Sequence, residues 1–212
     1  MSDDFETARH IRLLHGINRA FSRIYHHVDV AGQQVIPRIG PAIILSNHIS
    51  GLDPLMIQSV LHRPVIWMMA REYYDIGPLR RLFEMLQAIP VSRDGRDSTA
   101  LRAALRTLDK GRLLGVFPEG RISPQNTLLP FQTGVAMIAL RAKVPIIPLH
   151  ITGSTRGRSM ARAFAVPQQV RLRFGEPIDL SAHFKRASDL AAPTAFLQSA
   201  IDALRVQQTG MH

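Results

Sequence analysis

Ala42-Ile43-Ile44-Leu45-Ser46-Asn47-His48-Ile49-Ser50-Gly51-Leu52-Asp53-Pro54-Leu55-Met56-Ile57 is the stretch that decides the fold. Ala42–Leu45 is a short continuous apolar run, the pattern of a strand buried on both faces. A polar turn follows, and Asp53–Leu61 reads as a helix. One strand, one turn and one helix make a repeating unit, and the rest of the chain supplies more of them. Val65–Ala70 reads as a strand and Pro78–Leu86 as a helix. Ile89–Val91 is a third strand. Asp97 or Ser98 caps a helix with the stripe Leu101, Leu105 and Leu108, which Gly111 ends. Leu113–Phe117 is another buried strand, Phe131–Ala142 a helix, Ile146–Ile151 and Val170–Phe174 strands, and Pro193–Val206 a closing helix. Apolar strands alternating with helices predict an α/β domain with a mostly parallel central sheet flanked by helices.

Upstream the period changes. Leu14, Ile17, Phe21, Ile24 and Val28 recur in steps of three and four, which predicts an amphipathic helix over residues 5–28. Arg9, Arg12, Arg19 and Arg23 fall mostly on its other faces. We therefore expect an N-terminal amphipathic helical segment over residues 1–32, followed by the α/β domain over residues 33–212. A basic amphipathic helix either packs on its own domain or lies in a membrane interface.

Composition narrows the partners. The 212 residues suit one domain, and 46% of them are hydrophobic, enough for a sizeable core. The absence of cysteine removes disulfides, thiolate nucleophiles and Cys-based zinc sites. The N-terminus, Met1-Ser2-Asp3-Asp4-Phe5-Glu6, is acidic and does not read as a secretory signal. Apolar runs such as Pro64–Ala70 and Val144–Leu149 are far below the roughly 20 residues of a spanning helix. The formal charge is +10, and Lys110, Lys143 and Lys185 are the only lysines. Arginine's planar fork suits phosphate and carboxylate, so anionic partners are expected: phospholipid, nucleic acid or a phosphorylated cofactor. Nucleic acid is the poorest fit, because aromatics are 6% and none form a stacking series among the basic residues.

In open α/β sheets, ligands bind beyond the carboxyl ends of the strands, and the polar clusters sit there. Asn47 and His48 follow the first strand, and Asp53 comes five residues after His48, at the start of a helix. If the turn folds back, the carboxylate holds one imidazole nitrogen and leaves the other to accept a proton from a hydroxyl. That is the His-Asp half of a serine-type triad, with the substrate's own hydroxyl in place of the serine. The same two residues also serve as ordinary helix caps, so the spacing alone admits both readings. Phe117-Pro118-Glu119-Gly120-Arg121-Ile122-Ser123 follows another strand and offers a carboxylate, a glycine turn, a guanidinium and a hydroxyl. Ile89-Pro90-Val91-Ser92-Arg93, with Arg96 nearby, places a guanidinium at a strand end. Val144-Pro145-Ile146-Ile147-Pro148-Leu149 carries prolines that cannot donate to a ladder, which predicts an irregular or edge strand. No His cluster has metal-ligand spacing with a carboxylate, so no metal is expected.

Together these segments resemble the four blocks of the glycerolipid acyltransferase family, the lysophosphatidic acid acyltransferase (PlsC-like) group. The resemblance runs from about Gly40 to Ile178. The NHxxxxD block is matched at Asn47, His48 and Asp53, and the FPEG block at Phe117–Gly120. The second block departs, with Gln87 and Pro90 where the family usually has Gly and Phe, but Arg93 is kept. Arg121 stands one place earlier than in the common form of the third block, an order similar to the acyltransferase part of bacterial lysophosphatidylethanolamine acyltransferase/acyl-carrier-protein synthetases.

The resemblance implies that His48 and Asp53 are catalytic. It also implies that Asn47, Arg93, Phe117, Glu119, Gly120, Arg121 and Ser123 bind substrate, and that Pro145 and Pro148 wall an acyl groove. The donor would be acyl-CoA or acyl-carrier protein, with no other cofactor. The acceptor would be a lysophospholipid or glycerol phosphate, and another lysolipid or an ornithine-type lipid stays open. The expected place of action is an anionic membrane surface, peripheral on the inner face of the cell membrane. A non-catalytic basic lipid-binding protein is the competing reading, and it leaves the His48–Asp53 pairing without a purpose.

Overall fold

The computed structural model describes residues 8–92, 97–123, 127–154, 160–184 and 189–209. In chain order they form α1 (Arg9–Ile24), β1 (His27–Ala31), a 3-10 turn (Gln33–Val35), β2 (Ala42–Ser46), α2 (Asp53–Val60), β3 (Val65–Ala70), α3 (Arg71–Tyr74), α4 (Gly77–Met85) and β4 (Ile89–Val91). There follow α5 (Ser98–Asp109), β5 (Leu113–Val116), α6 (Gly134–Ala142), β6 (Ile146–Thr152), α7 (Met160–Ala165), β7 (Gln169–Phe174), α8 (Leu180–His183) and α9 (Ala191–Thr209). The strands make one seven-stranded sheet in the order β1-β7-β6-β2-β5-β3-β4. From β6 to β4 every pairing is parallel. β7 is antiparallel to β6 and carries β1 parallel to itself. The sheet is therefore mixed and mostly parallel, as the strand–helix alternation predicts.

Burial explains the layers. β2 is buried along its whole length, and its side chains alternate between two apolar clusters. Ile43 and Leu45 join Ala104 of α5, Val135 of α6 and Ile201 of α9. Ala42 and Ile44 join Met56 and Ile57 of α2 on the opposite face. Alternation with period two sends each set to its own side. Arg63 closes the amino-terminal end of the sheet: its buried guanidinium donates to the carbonyls of Pro37, Gly40 and Gly111. That arginine is structural.

Two expectations need correction. The N-terminal helix ends at Ile24, not residue 28, and Val28 lies on β1, a strand of the sheet within the segment expected to be helical. The Pro145–Pro148 segment is neither irregular nor an edge, because β6 sits between β2 and β7. Pro148 is tolerated for a local reason. Its carbonyl accepts from Gly175 N at 2.8 Å, so its missing N–H also faces the side where the β6–β7 ladder, which pairs Leu149–Thr152, has already stopped.

Helix α1 packs in an unusual sense. Its polar side chains face α2 and satisfy carbonyls at the carboxyl end of that helix. Asn18 Nδ2 donates to Leu55 O at 2.9 Å, His15 Nε2 to Gln58 O at 3.1 Å, and Arg19 to Ser59 O and Leu61 O at 3.2 and 2.9 Å. Its apolar side chains Leu13, Ile17 and Ile24 are 64%, 56% and 82% exposed. Steps of four and seven place those three on one face. Phe21, expected in the same stripe, instead stacks on Tyr25 with ring centroids 5.4 Å apart and lies 6.0 Å from Phe164. Among the described residues no helix is long and apolar enough to cross a membrane.

Candidate active site

The site is built at the carboxyl end of β2, in the middle of the sheet, where the chain turns into α2. Asp53 begins α2 and is fully buried. Its Oδ2 accepts from the backbone N–H of Ile49 at 2.7 Å and of Ser50 at 2.8 Å, so the turn wraps around the carboxylate. Its Oδ1 accepts from Ser154 Oγ at 2.8 Å. His48 Nδ1 lies 2.9 Å from Oδ2. An ionised carboxylate only accepts, so Nδ1 carries the proton and Nε2 is left with a lone pair. The imidazole is partly open to solvent, at 17% exposure, beside a partner at 0%. A buried carboxylate fixing the tautomer of a half-open imidazole is a general-base arrangement.

The ring plane of His48 is also held. Phe117 stacks on the imidazole with centroids 4.1 Å apart and an interplanar angle of 18°. Phe117 in turn stacks on Trp67 at 5.0 Å and 11°.

Several residues expected to touch substrate are engaged by the backbone. Asn47 Nδ2 donates to Ile151 O at 3.0 Å, and its Oδ1 accepts from Ile151 N at 2.8 Å, which ties the loop to β6. Glu119 is buried, with Oε1 accepting from His48 N at 2.8 Å and Oε2 from Leu129 N at 2.9 Å. Burial pushes its carboxyl above the ordinary range, against those two hydrogen bonds. Ser123 is buried too. Its N–H donates to His48 O at 2.7 Å and its Oγ donates to Thr127 O at 2.5 Å. Asn47 and Glu119 with their side chains, and Ser123 with its backbone N–H, brace the loop that presents His48.

Gly120 has φ +66°, and its N–H donates to Phe117 O at 3.1 Å, closing the turn after the phenylalanine. Arg121, next in sequence, is exposed. Arg93 and its neighbour Arg96 lie outside the described residues. Pro148 is core, and Pro145 sits at the far end of β6 from His48, level with Ile43 N, which donates to Pro145 O. Among the described residues no three His, Asp or Glu side chains gather in a way that suits a metal ion. Sequence reading did not single out Ser154 or Trp67. A serine far along the chain gives no local signal, and a tryptophan inside an apolar strand reads as core.

The chain is also similar to known proteins. The family profile described as Acyltransferase matches residues 27–152, more than half of the chain and all of the residues just described except Ser154. The chain is 23% identical over 180 residues to the 1-acyl-sn-glycerol-3-phosphate acyltransferase of Bacillus subtilis (strain 168), covering 84% of this chain and 87% of that protein. It is 26% identical over 180 residues to the human 1-acyl-sn-glycerol-3-phosphate acyltransferase beta, covering 82% of this chain but 64% of that one. Among solved structures, that of the 1-acyl-sn-glycerophosphate acyltransferase PlsC from Thermotoga maritima superposes with a TM-score of 0.74 at 25% identity, over 93% of this chain and 79% of that chain. The chain belongs to the acyltransferase family.

Proposed function

We propose that the protein moves a fatty acyl group from a thioester, acyl-CoA or acyl-carrier protein, to the hydroxyl of a 1-acyl-glycerol-3-phosphate-type lysophospholipid. The observation that carries this is the 2.9 Å contact between half-open His48 and fully buried Asp53 at the carboxyl end of the central strand. His48 Nε2 takes the acceptor's hydroxyl proton as the oxygen attacks the thioester carbonyl carbon. The tetrahedral intermediate collapses, the carbon–sulfur bond breaks, and the thiolate leaves with the proton returned by His48. Asp53 stabilises the imidazolium in between. Products are the ester and a free thiol. The test is thiol release from acyl-CoA and from acyl-carrier protein. The acceptor panel is lysophosphatidic acid, lysophosphatidylethanolamine, glycerol 3-phosphate and an ornithine-type lipid. Thiol release that does not depend on any acceptor overturns the proposal in favour of a hydrolase.

Arg121 is assigned to the acceptor's phosphate, because it is exposed and follows directly on the turn that carries Phe117 and Glu119. A guanidinium–phosphate hydrogen bond contributes about 1.5–3 kcal/mol. Arg121→Ala therefore raises the acceptor KM about tenfold or more and leaves the donor KM close to its starting value. A rise confined to the donor KM moves Arg121 to the phosphates of the donor.

The place of action we assign is an anionic membrane surface, on the inner face of the cell membrane. Leu13, Ile17 and Ile24 form an unpartnered apolar face, flanked by the exposed Arg9, Arg12 and Arg23. Each such arginine contributes about 1 kcal/mol near an anionic leaflet, and salt weakens it. Binding to anionic vesicles is expected to fall as salt rises. The double variant Ile17→Ser/Ile24→Ser is expected to bind vesicles about tenfold or more weakly at unchanged thermal stability, since both side chains are already exposed. An equally tight double variant removes α1 from the docking surface.

A further inference from the structure

We infer that Trp67 is a positioning residue for the reaction: it clamps Phe117 flat against the imidazole of His48, from a slot that Gly115 leaves open in the sheet. The inference rests on the reading of His48 as general base.

The slot comes first. Gly115 lies on β5, between β2 and β3, paired with Ile44 on one side and Trp67 on the other. A glycine inside a strand weakens it, and the backbone here does not need one, because Gly115 is not among the residues with positive φ. What needs it is the indole. A Cβ on Gly115 would lie 2.3, 2.5 and 2.6 Å from three Trp67 ring atoms, so the ring occupies the volume any other side chain would take. Phe117 is two residues beyond Gly115, just past the end of β5, and packs against the same apolar cluster as Trp67. The indole lying over Gly115 therefore comes directly behind the phenyl ring, at 5.0 Å and 11° from parallel. The phenyl ring is held between two flat neighbours, with His48 at 4.1 Å on the other side.

The consequence concerns the aim of Nε2. Asp53 holds Nδ1 and so fixes how the imidazole is turned within its plane. It leaves the ring free to tilt about that hydrogen bond. Phe117 removes the tilt only if it cannot itself move, and Trp67 is what prevents it from moving. A ring that tilts points its lone pair away from the attacking hydroxyl. Misplacement on the scale of an ångström costs on the order of a hundredfold in rate. Because Asp53 still holds the imidazole, the loss here is smaller than removal of the base.

The experiment uses the fact that Trp67 is the only tryptophan of the chain, so emission excited at the red edge of the absorption band, where tyrosine does not absorb, reports on this ring alone. Three variants are compared with the parent and with His48→Ala: Trp67→Ala, Trp67→Phe and Gly115→Ala. We expect Trp67→Ala to lower kcat roughly tenfold to a hundredfold, with both KM values within about twofold. Trp67→Phe, which keeps a flat ring behind Phe117, is expected to recover most of kcat. Gly115→Ala is expected to shift the emission to the red as the indole leaves its slot, with kcat falling alongside. If Trp67→Ala proves unable to fold, the other two variants carry the test. The inference is overturned by a Gly115→Ala protein with displaced emission and parental kcat. It is equally overturned by Trp67→Ala acting only on KM, or by Trp67→Phe no better than Trp67→Ala. If His48→Ala itself retains turnover, it is the general-base reading that fails, which separates the two.

Discussion

His48→Ala is expected to leave a folded protein that transfers almost no acyl group, with kcat lowered by about 10²–10⁴. The size follows from what is removed. Without an acceptor for the hydroxyl proton, attack on the thioester must proceed through a neutral alcohol or through water. The retained fold follows from what remains. Asp53 keeps three donors, the N–H groups of Ile49 and Ser50 and the hydroxyl of Ser154. The backbone of residue 48 still donates to Glu119 and accepts from Ser123. The loop is therefore braced without the imidazole, and the thermal midpoint should move little. Thiol release with acceptor present, read beside a melting curve, is the check. Turnover near the parental value in a folded His48→Ala protein removes the mechanism altogether.

The same hydrogen bonds show what could be read in the sequence and what could not. The β2–turn–α2 unit was legible because an unbroken apolar run, a polar turn and an apolar helix differ in pattern. The strands β3 to β7 were legible for the same reason. β1 was missed. Val28 sits four residues past Ile24, so it continues a helical stripe. The alternation His27-Val28-Asp29-Val30-Ala31 is only five residues long and competes poorly with the longer signal. His48 and Asp53 were legible as a pair because their partnership is local. Asn47, Glu119 and Ser123 were legible as polar residues at strand ends, but not as braces. Asn47 answers to Ile151 and Glu119 to His48 and Leu129, and for Asn47 the partner lies 104 residues away. The inverted helix α1 was hidden for a related reason. Periodicity finds an apolar face, but only tertiary contact decides whether that face or the polar one turns inward, and here the carboxyl end of α2 recruits the polar one.

Asp53→Asn is expected to differ from His48→Ala in kind, being inactive and less stable together. In the parent, one carboxylate accepts four hydrogen bonds in a fully buried position, three of them on Oδ2. An amide has one acceptor oxygen. If that oxygen takes the place of Oδ2, it serves the Ile49 and Ser50 N–H groups and His48 Nδ1 as a neutral acceptor, roughly half as strong as a charged one. If the amide turns over, its NH₂ confronts three donors and none is satisfied. The first arrangement is the better one, and it still loses about 1 kcal/mol at each of those three bonds, the difference between a charged and a neutral hydrogen bond. That loss is readable as a lower urea midpoint at unchanged slope. The activity falls for a separate reason: no negative charge remains to stabilise the imidazolium formed when His48 takes the hydroxyl proton. Two groups that act as one unit are not additive. The double variant His48→Ala/Asp53→Asn should therefore turn over no more slowly than His48→Ala alone, while its stability loss resembles that of Asp53→Asn. A double variant slower than His48→Ala by the full factor that Asp53→Asn shows alone would mean that the carboxylate acts on the reaction without the imidazole. An Asp53→Asn protein with parental turnover would mean that the 2.9 Å contact orients nothing the chemistry uses.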